Sequence, residues 1–244
     1  MSMRLALLAP LLAGLLLALA CAPQEDVITQ DIVSTIPWPD QERAEYVLLD
    51  RDGEEEQGSG VLTVARQDGR FELRLRFEGD ETNIDNSTVL VDAETLKPIS
   101  IHRERVIDND TETLDATYDN VEGVVNIKAT SGGDERKIPV RLKENSYDND
   151  SSLYLWRTID FQEGYEAAYR TVVTGGGVLQ VVRLKVTGKE SVTVPAGTFQ
   201  AWRLEIRAAD RKQIAWFADT PQRPLVQYDN SRQLFQLTAL GEGR

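Results

Sequence analysis

Three acidic stretches hold the side chains of this sequence that are best suited to chemistry: Asp50 to Glu56, Asp108 to Asp115 and Asp148 to Asp150. Two facing carboxylates are the usual machinery of glycoside hydrolysis, and several carboxylates in one loop are typical of a calcium site. The second stretch, DNDTETLD, lacks the glycine and the final glutamate of the twelve-residue calcium loop. Because the whole chain is acidic, we expect all three stretches to be solvated loops.

Nucleophilic catalysis and metal binding through histidine have little support in the sequence. His102 is the single histidine, and it lies on the opposite face of a predicted strand from Ile99 and Ile101, so we expect it on the surface. One histidine cannot build a multi-histidine metal site, and no serine occurs in a Gly-x-Ser-x-Gly pattern. The glycine groups at 58–60 and 175–177 lack the features of a phosphate loop, so we interpret both as hairpin turns. We therefore expect a protein that is not an enzyme, with no catalytic residue, metal or cofactor.

The only cysteine, Cys21, directly follows an apolar run from Leu5 to Ala20. The run is shorter than a typical membrane-spanning helix and ends in small residues, which is the pattern of an export signal. The segment ALAC at 18–21 resembles the lipobox of bacterial lipoproteins, in which the cysteine is acylated. Ordinary signal cleavage also fits this segment, but it would leave an unpaired thiol in an oxidising compartment. We therefore predict a signal peptide over residues 1–20, cleavage after Ala20 and lipidation of Cys21.

The net charge and the lipobox resemblance together limit where the protein can be located and which partners it can bind. Ala22 stands where many inner-membrane lipoproteins have aspartate, so the resemblance implies the periplasmic side of the outer membrane if the organism is Gram-negative. The chain has 40 acidic and 27 basic residues and a net charge of −13, which repels nucleic acid and anionic lipid headgroups. We expect membrane contact through the N-terminal lipid. The expected partner is an envelope protein or an apolar ligand, and not nucleic acid.

The chain after the signal peptide divides into a tether and one domain. Residues 21–44 are polar, with prolines on both sides of Trp38, and we interpret them as a lipid-anchored tether. The sequence leaves open whether Trp38 docks on the domain. Residues 45–244 contain no internal repeat and no second composition block, so we expect a single β-rich domain. With one cysteine, this domain must be stabilised by its hydrophobic core rather than by a disulfide.

Apolar and polar residues alternate with a period of two along most of the predicted domain. In RFELRLRFEG, apolar residues at 71, 73, 75 and 77 alternate with charged residues, which predicts a strand with one buried face. Asp68-Gly69 just before this run is a strong hairpin signal, and AWRLEIRA at 201–208 repeats the alternation. Further predicted strands lie at 46–50, 61–65, 88–91, 99–106, 113–118, 121–130, 137–142, 167–173, 178–186, 191–194, 213–217, 225–228 and 234–240.

One segment departs from this period. Asp150 or Ser151 is a good N-cap, and apolar residues then follow at helical spacing, which predicts a short helix from Ser151 to Ile159. The connections between the predicted strands are too short for repeated crossover helices. We therefore predict a mainly β fold with a single antiparallel meander sheet, strongly curved into a half-barrel or barrel-like shape, and one short helix.

Four short motifs stand out in the second half of the chain: GKE at 188–190, VPAGTF at 194–199, WFA at 216–218 and RPLV at 223–226. Together they resemble the bacterial envelope family known as domain of unknown function 3108. The resemblance extends over about residues 88–237. It implies an exported, β-rich domain, and it implies no activity because the family has none assigned.

These observations lead to one functional hypothesis and two alternatives. The hypothesis is a lipid-anchored, non-catalytic envelope domain that binds a protein partner or holds an apolar ligand, such as an acyl chain, on the concave face of its sheet. Binding of an apolar ligand requires an apolar cavity of suitable size. The alternatives are an envelope hydrolase, which requires two converging acids with a raised pKa, and a calcium-stabilised surface module.

Overall fold

The alternating sequence forms fifteen strands in the computed structural model, which describes residues 27–29, 31–80 and 82–242. The strands are β1 (Gln41–Asp50), β2 (Glu56–Gln67), β3 (Arg70–Asp80), β4 (Asn83–Asp92), β5 (Pro98–Ile107), β6 (Asp110–Asp119), β7 (Val124–Ser131), β8 (Asp134–Arg141), β9 (Ser146–Asp148), β10 (Glu166–Val173), β11 (Val178–Val194), β12 (Gly197–Ala208), β13 (Arg211–Ala218), β14 (Leu225–Asp229) and β15 (Gln233–Gly241).

All fifteen strands belong to one sheet. Strands β1 to β8 form one run of antiparallel neighbours, β10 to β15 form a second, and the pairing of β1 with β15 joins the two runs. The short strand β9 pairs in parallel with β10. The predicted single meander sheet with antiparallel hairpins is therefore confirmed, apart from this one parallel pair. Within the described residues the sheet is open, with β8 and β9 at its edges, and the predicted strong curvature is not confirmed.

The predicted alternation determines which face of each strand is buried. On β3, Phe71, Leu73 and Leu75 are buried in the core. The intervening Arg74 and Arg76 are exposed and pair with glutamates on the same strand. The β2–β3 turn has φ angles of 50° at Asp68 and 72° at Gly69, as a two-residue hairpin with left-handed positions requires.

The predicted short helix is present, with flanking turns of 3₁₀ helix. Residues Asn149–Ser151 and Trp156–Thr158 are 3₁₀ turns on either side of the α-helix Ser152–Leu155, which we label α1. The carboxylate of Asp148 accepts a hydrogen bond from the Asp150 backbone N–H at 2.7 Å, so the cap lies two residues earlier than the first predicted candidate. We call residues 149–158 the helical segment. Every side chain from 151 to 159 is buried, because this segment packs inside the core. None of the helices in the described part of the chain is long and apolar enough to cross a membrane.

Part of the segment that we interpreted as a tether packs against the sheet. Ile32 and Trp38 are both buried, and the Trp38 ring lies edge-on to Phe71 and to Tyr154, with centroid distances of 5.8 and 6.2 Å. Docking of Trp38, which the sequence left open, is therefore observed. Strand β1 begins at Gln41, four residues before the predicted start of the domain. Residues 1–26, including the predicted signal peptide, the Ala20 cleavage site and Cys21, lie outside the described residues.

The two glycine groups differ in their structural roles. Residues 175–177 form the turn between β10 and β11, as predicted. The prediction of a turn at 58–60 is wrong, because these residues lie inside β2. A Cβ atom at Gly58 would overlap the backbone carbonyl of Glu78 on β3, so glycine here permits close strand approach rather than chain reversal.

Candidate functional site

A cavity of about 1000 Å³ lies between strands of both halves of the sheet and the helical segment. Side chains from β1, β3, β11, β14, β15 and the helical segment give it an apolar wall, and side chains from β4, β5 and the start of the helical segment give it a polar end. Polar side chains also line it near β13, and they are Asp210, Arg211, Gln213, Asn230 and Gln233. The apolar wall includes Leu48, Leu75, Phe77, Leu153, Trp156, Val182, Tyr228 and Phe235. The polar end includes Asp85, Ser87, Arg103, Arg105 and Asp150.

Aromatic packing holds the apolar wall together. The rings of Phe77 and Phe235 meet edge-on with centroids 5.3 Å apart, and Tyr228 contacts Phe235 at 5.4 Å. Trp156 lies 6.0 Å from Tyr228 and brings the helical segment into the same cluster. Offset and edge-on aromatic pairs of this kind add to the stabilisation from burial, so the wall is well defined.

Strand alternation also positions the charged groups of the polar end. Asp85 shares a face of β4 with the buried Ser87 and Val89, and Arg103 and Arg105 share a face of β5 with the buried Ile101. Charged residues in phase with core positions were therefore a sequence signal for this site. This signal differs from the acidic stretches and His102, which were the candidates that composition and residue type suggested.

Cross-strand ion pairs order the polar end. Arg103 donates to both carboxylate oxygens of Asp85, with Nε 2.7 Å from Oδ1. Its Nη1 atom lies 3.5 Å from Oδ1 of Asp150. Arg105 lies directly opposite Asp85 in the strand register, and its Nε atom is 3.5 Å from Asp85 Oδ2. Arg103 therefore links β4, β5 and the start of the helical segment, and these bidentate charged contacts fix its position.

Two carboxylates behind this cluster are buried, which corrects the prediction that residues 148–150 form a solvated loop. Asp148 has no solvent exposure, and the Tyr118 hydroxyl donates a hydrogen bond to its Oδ2 atom. Burial raises the pKa of Asp148 well above its usual range, and the neighbouring charge of Asp150 raises it further. Burial also raises the pKa of Asp150, against the opposing effect of Arg103. The side chain of Asp148 also caps the start of the helical segment.

Two buried polar atoms of the polar end make no hydrogen bond within the described part of the chain. One is Oδ2 of Asp150, an acceptor when ionised, and the other is Nε of Arg105, a donor. Both residues line the cavity. A buried polar atom without a partner costs about 1–3 kcal/mol, and because both atoms are buried, neither is presented to the cavity itself.

The other predicted site residues do not approach the cavity. His102 is exposed, and its Nδ1 atom lies 2.8 Å from Oδ1 of Asp115. In the first acidic stretch, Asp50 caps a turn, and hydrogen bonds from the backbone N–H groups of Glu54 and Glu55 lower its pKa. The described residues contain no group of three or more His, Cys, Asp or Glu side chains placed to hold a metal ion.

Comparison with known proteins places the chain in a family without assigned activity. Its solved structural relatives include a candidate exported protein with a YmcC-like fold from Bacteroides fragilis NCTC 9343, which is 11% identical. The match covers 87% of this chain and 100% of that protein, with a TM-score of 0.31. No curated protein matches the sequence. The family model described as "Protein of unknown function (DUF3108)" matches residues 47–231, so this chain belongs to that family, as its motifs predicted.

Proposed function

We propose that this protein is an exported, lipid-anchored and non-catalytic domain of the cell envelope that binds an apolar ligand in its cavity. The observation that supports the proposal is the cavity itself. Its volume of about 1000 Å³ is at the upper end of the range for small-molecule sites, and aliphatic and aromatic side chains form about half of its lining. In this proposal the sheet curves around the helical segment to enclose the ligand.

The short distance between the predicted anchor and the domain supports this proposal. Thr29 donates its backbone N–H to Ala168 O on β10 at 2.8 Å, so the chain is attached to the sheet from this point. Thr29 lies only eight positions after Cys21, and a fully extended chain of that length spans at most about 29 Å. A lipid on Cys21 would therefore hold the cavity close to the membrane surface, where an apolar ligand is concentrated.

Ligand binding is tested on the full-length protein with N-phenyl-1-naphthylamine, an uncharged dye that fluoresces in apolar sites. We expect saturable binding to the wild type. Val173 lines the cavity and is half-buried, so Val173→Trp should fill the space and weaken dye binding by about tenfold or more. Val121 is 94% exposed and lies elsewhere, so Val121→Trp is the matched control and should bind as the wild type does. Equal binding by all three proteins, or no binding by the wild type, would overturn the proposal.

The anchor is tested separately by fractionation and intact-mass measurement. We expect the wild type in the membrane fraction with a mass increase located on Cys21, and Cys21→Ser in the soluble fraction without it. A wild-type protein that is soluble with an unmodified thiol would contradict the anchoring part of the proposal and leave the ligand part intact.

A hydrolase is the second candidate, and one observation favours it. Asp85 and Asp150 both line the cavity, and burial raises the pKa of Asp150, as in a general acid. Hydrolysis is tested by incubating the full-length protein with monopalmitoylglycerol and measuring released palmitate by mass spectrometry. Release that is lost in Asp150→Asn would establish catalysis. Unchanged substrate would support the non-catalytic proposal.

A further inference from the structure

We propose that the turn between β10 and β11, residues 174–177, is a flap that opens to admit the ligand to the cavity. We call these four residues the flap. Opening moves the flap away from β8 and widens the entrance beside it. This inference rests on the proposed ligand-binding function and adds a conformational step that limits the rate of binding.

The flap lies at the rim of the cavity. Val173 and Val178 flank it, stand directly opposite each other in the β10–β11 register, and both line the cavity. Val178 is 50% exposed, and Ile107 on β5, which also lines the cavity, is 37% exposed. Apolar side chains that line a cavity and are also exposed lie where the cavity meets solvent. The entrance is therefore beside the flap.

The flap can move without the loss of any strand pairing. β8 is an edge strand of the sheet, and in the described part of the chain it forms no hydrogen-bonded ladder with β10 or β11. The flap meets β8 through position 177, which lies against the side chain of Ile138. Within the flap, Gly177 donates its backbone N–H to Thr174 O at 3.1 Å. Movement away from β8 therefore costs a side-chain contact and leaves this internal turn intact.

Two of the three glycines in the flap are not required by its observed conformation. Gly177 has a φ angle of +61°, which favours glycine, but Gly175 and Gly176 lie in a 3₁₀ turn that other residues adopt freely. A Cβ atom at 175 would meet no described atom within 4 Å, and one at 176 would make ordinary contacts with Val173 and Val178. Glycine loses more conformational entropy on folding than other residues, so it lowers stability at both positions. Access to a second, open conformation accounts for these two glycines.

A buried hydroxyl group at the base of the flap also favours opening. Thr174 is only 2% exposed, and its Oγ1 atom makes no hydrogen bond with any described residue. A buried polar group without a partner destabilises the conformation that buries it. Opening of the flap exposes this hydroxyl to water, so the free-energy difference between the two conformations becomes smaller.

A disulfide between the flap and β8 tests whether the flap must move. A Cβ atom at position 177 would lie 3.7 Å from Cβ of Ile138, a separation that suits a disulfide. Ile138→Cys and Gly177→Cys are combined in the full-length Cys21→Ser protein, so that the two new thiols are the only ones in the chain. We expect N-phenyl-1-naphthylamine to bind the oxidised protein about tenfold or more slowly than the reduced protein in stopped-flow fluorescence. Reduction of the disulfide should restore the faster rate.

The matched control places a disulfide between two strands that are already paired. Thr193 on β11 and Thr198 on β12 are directly opposite in register, with their hydroxyl oxygens 3.0 Å apart. Thr193→Cys combined with Thr198→Cys, in the same background, should bind the dye at one rate whether oxidised or reduced. Equal rates for the oxidised and reduced flap variant would overturn the inference and leave the proposed function standing. Failure of the reduced control protein to bind the dye would overturn the proposed function and the inference with it.

A second variant needs no disulfide and leaves Gly177 unchanged. Gly175→Ala combined with Gly176→Ala fits the observed conformation and reduces the freedom of the flap to leave it. We expect association and dissociation of the dye both to slow by about threefold or more, because both require the open conformation. Gly241→Ala on β15 is the control, since a Cβ atom there also meets no described atom within 4 Å, and its rates should equal those of the wild type. Wild-type rates in the Gly175→Ala, Gly176→Ala protein would overturn the inference.

Discussion

Arg157 and Glu42 form a buried ion pair that attaches the helical segment to β1, with Nη1 of Arg157 2.6 Å from Oε1 of Glu42. Arg157 also donates to two backbone carbonyls, to Arg223 O at 3.0 Å and to Gln222 O at 2.7 Å. Its guanidinium lies 5.3 Å from the centre of the Trp38 ring. The pair therefore holds the helical segment, which forms one wall of the cavity, against three other parts of the chain.

Breaking this ion pair should strongly destabilise the fold. In Glu42→Gln the guanidinium of Arg157 stays buried without its counter-charge, and we expect the free energy of unfolding to fall by about 3–5 kcal/mol. The measurement is urea denaturation. The matched control is Glu45→Gln, which removes an exposed partner of Arg43 on the same strand and should cost less than about 1 kcal/mol. A similar small loss in both variants would show that Glu42 is not needed to compensate the buried charge.

The contact between Tyr118 and Asp148 should also contribute measurably to stability. Tyr118→Phe removes the hydroxyl donor to a carboxylate that has no contact with solvent, and we expect a loss of about 1–3 kcal/mol. Tyr228→Phe is the comparison, because the Tyr228 hydroxyl donates at 3.0 Å to the uncharged side chain of Gln213. Its loss should be about 0.5–1.5 kcal/mol, and urea denaturation of both variants gives the ranking. The reverse ranking would contradict the importance of the buried carboxylate.

Stability should depend on pH through Asp148. Its pKa in the folded protein is raised above the ordinary value of 3.8, mainly by burial, so the folded state binds this proton more tightly than the unfolded state does. The stability that protonated Asp148 contributes is complete at pH values below the ordinary pKa. It is lost as the pH rises through the raised pKa of the folded state. Because Asn cannot ionise, the stability of Asp148→Asn relative to the wild type should increase as pH is raised from about 4 to about 8.

Urea denaturation of wild type and Asp148→Asn at several pH values provides this measurement. The comparison between the two proteins is essential, since other carboxylates, including Asp92, have lowered pKa values that change wild-type stability in the opposite direction. A stability difference that stays constant over the whole pH range would contradict the raised pKa of Asp148.

The turn between β10 and β11 contains a glycine that contacts the edge strand β8. Gly177 has a φ angle of +61°, and a Cβ atom there would lie 2.8 Å from Cγ2 of Ile138. We expect Gly177→Ala to lower the free energy of unfolding by about 1–2 kcal/mol, from the left-handed backbone alone. Gly175→Ala in the same turn is the control, because open space surrounds that position and the change should cost little. The two variants are compared by their melting temperatures. Equal melting temperatures would contradict the requirement for glycine at position 177.

The sequence by itself determined the fold class of this protein. Alternation such as that of Phe71, Leu73 and Leu75 is a local property of the chain, and it identifies a strand and its buried face without knowledge of the neighbours. The Asp68-Gly69 turn and the spacing in the helical segment are local signals of the same kind. The family motifs likewise identified the family correctly.

The tertiary structure alone decided where the candidate site lies. Asp148 and Asp150 belong to an acidic stretch that by its composition predicts a solvated loop, and they are buried because Tyr118 and Arg103 come from distant strands to meet them. Docking of Trp38 depends in the same way on its contact with Phe71 and Tyr154. The physical reason is that burial and pKa depend on which strands become neighbours across the sheet and on the space that they enclose, and local periodicity contains no information about either.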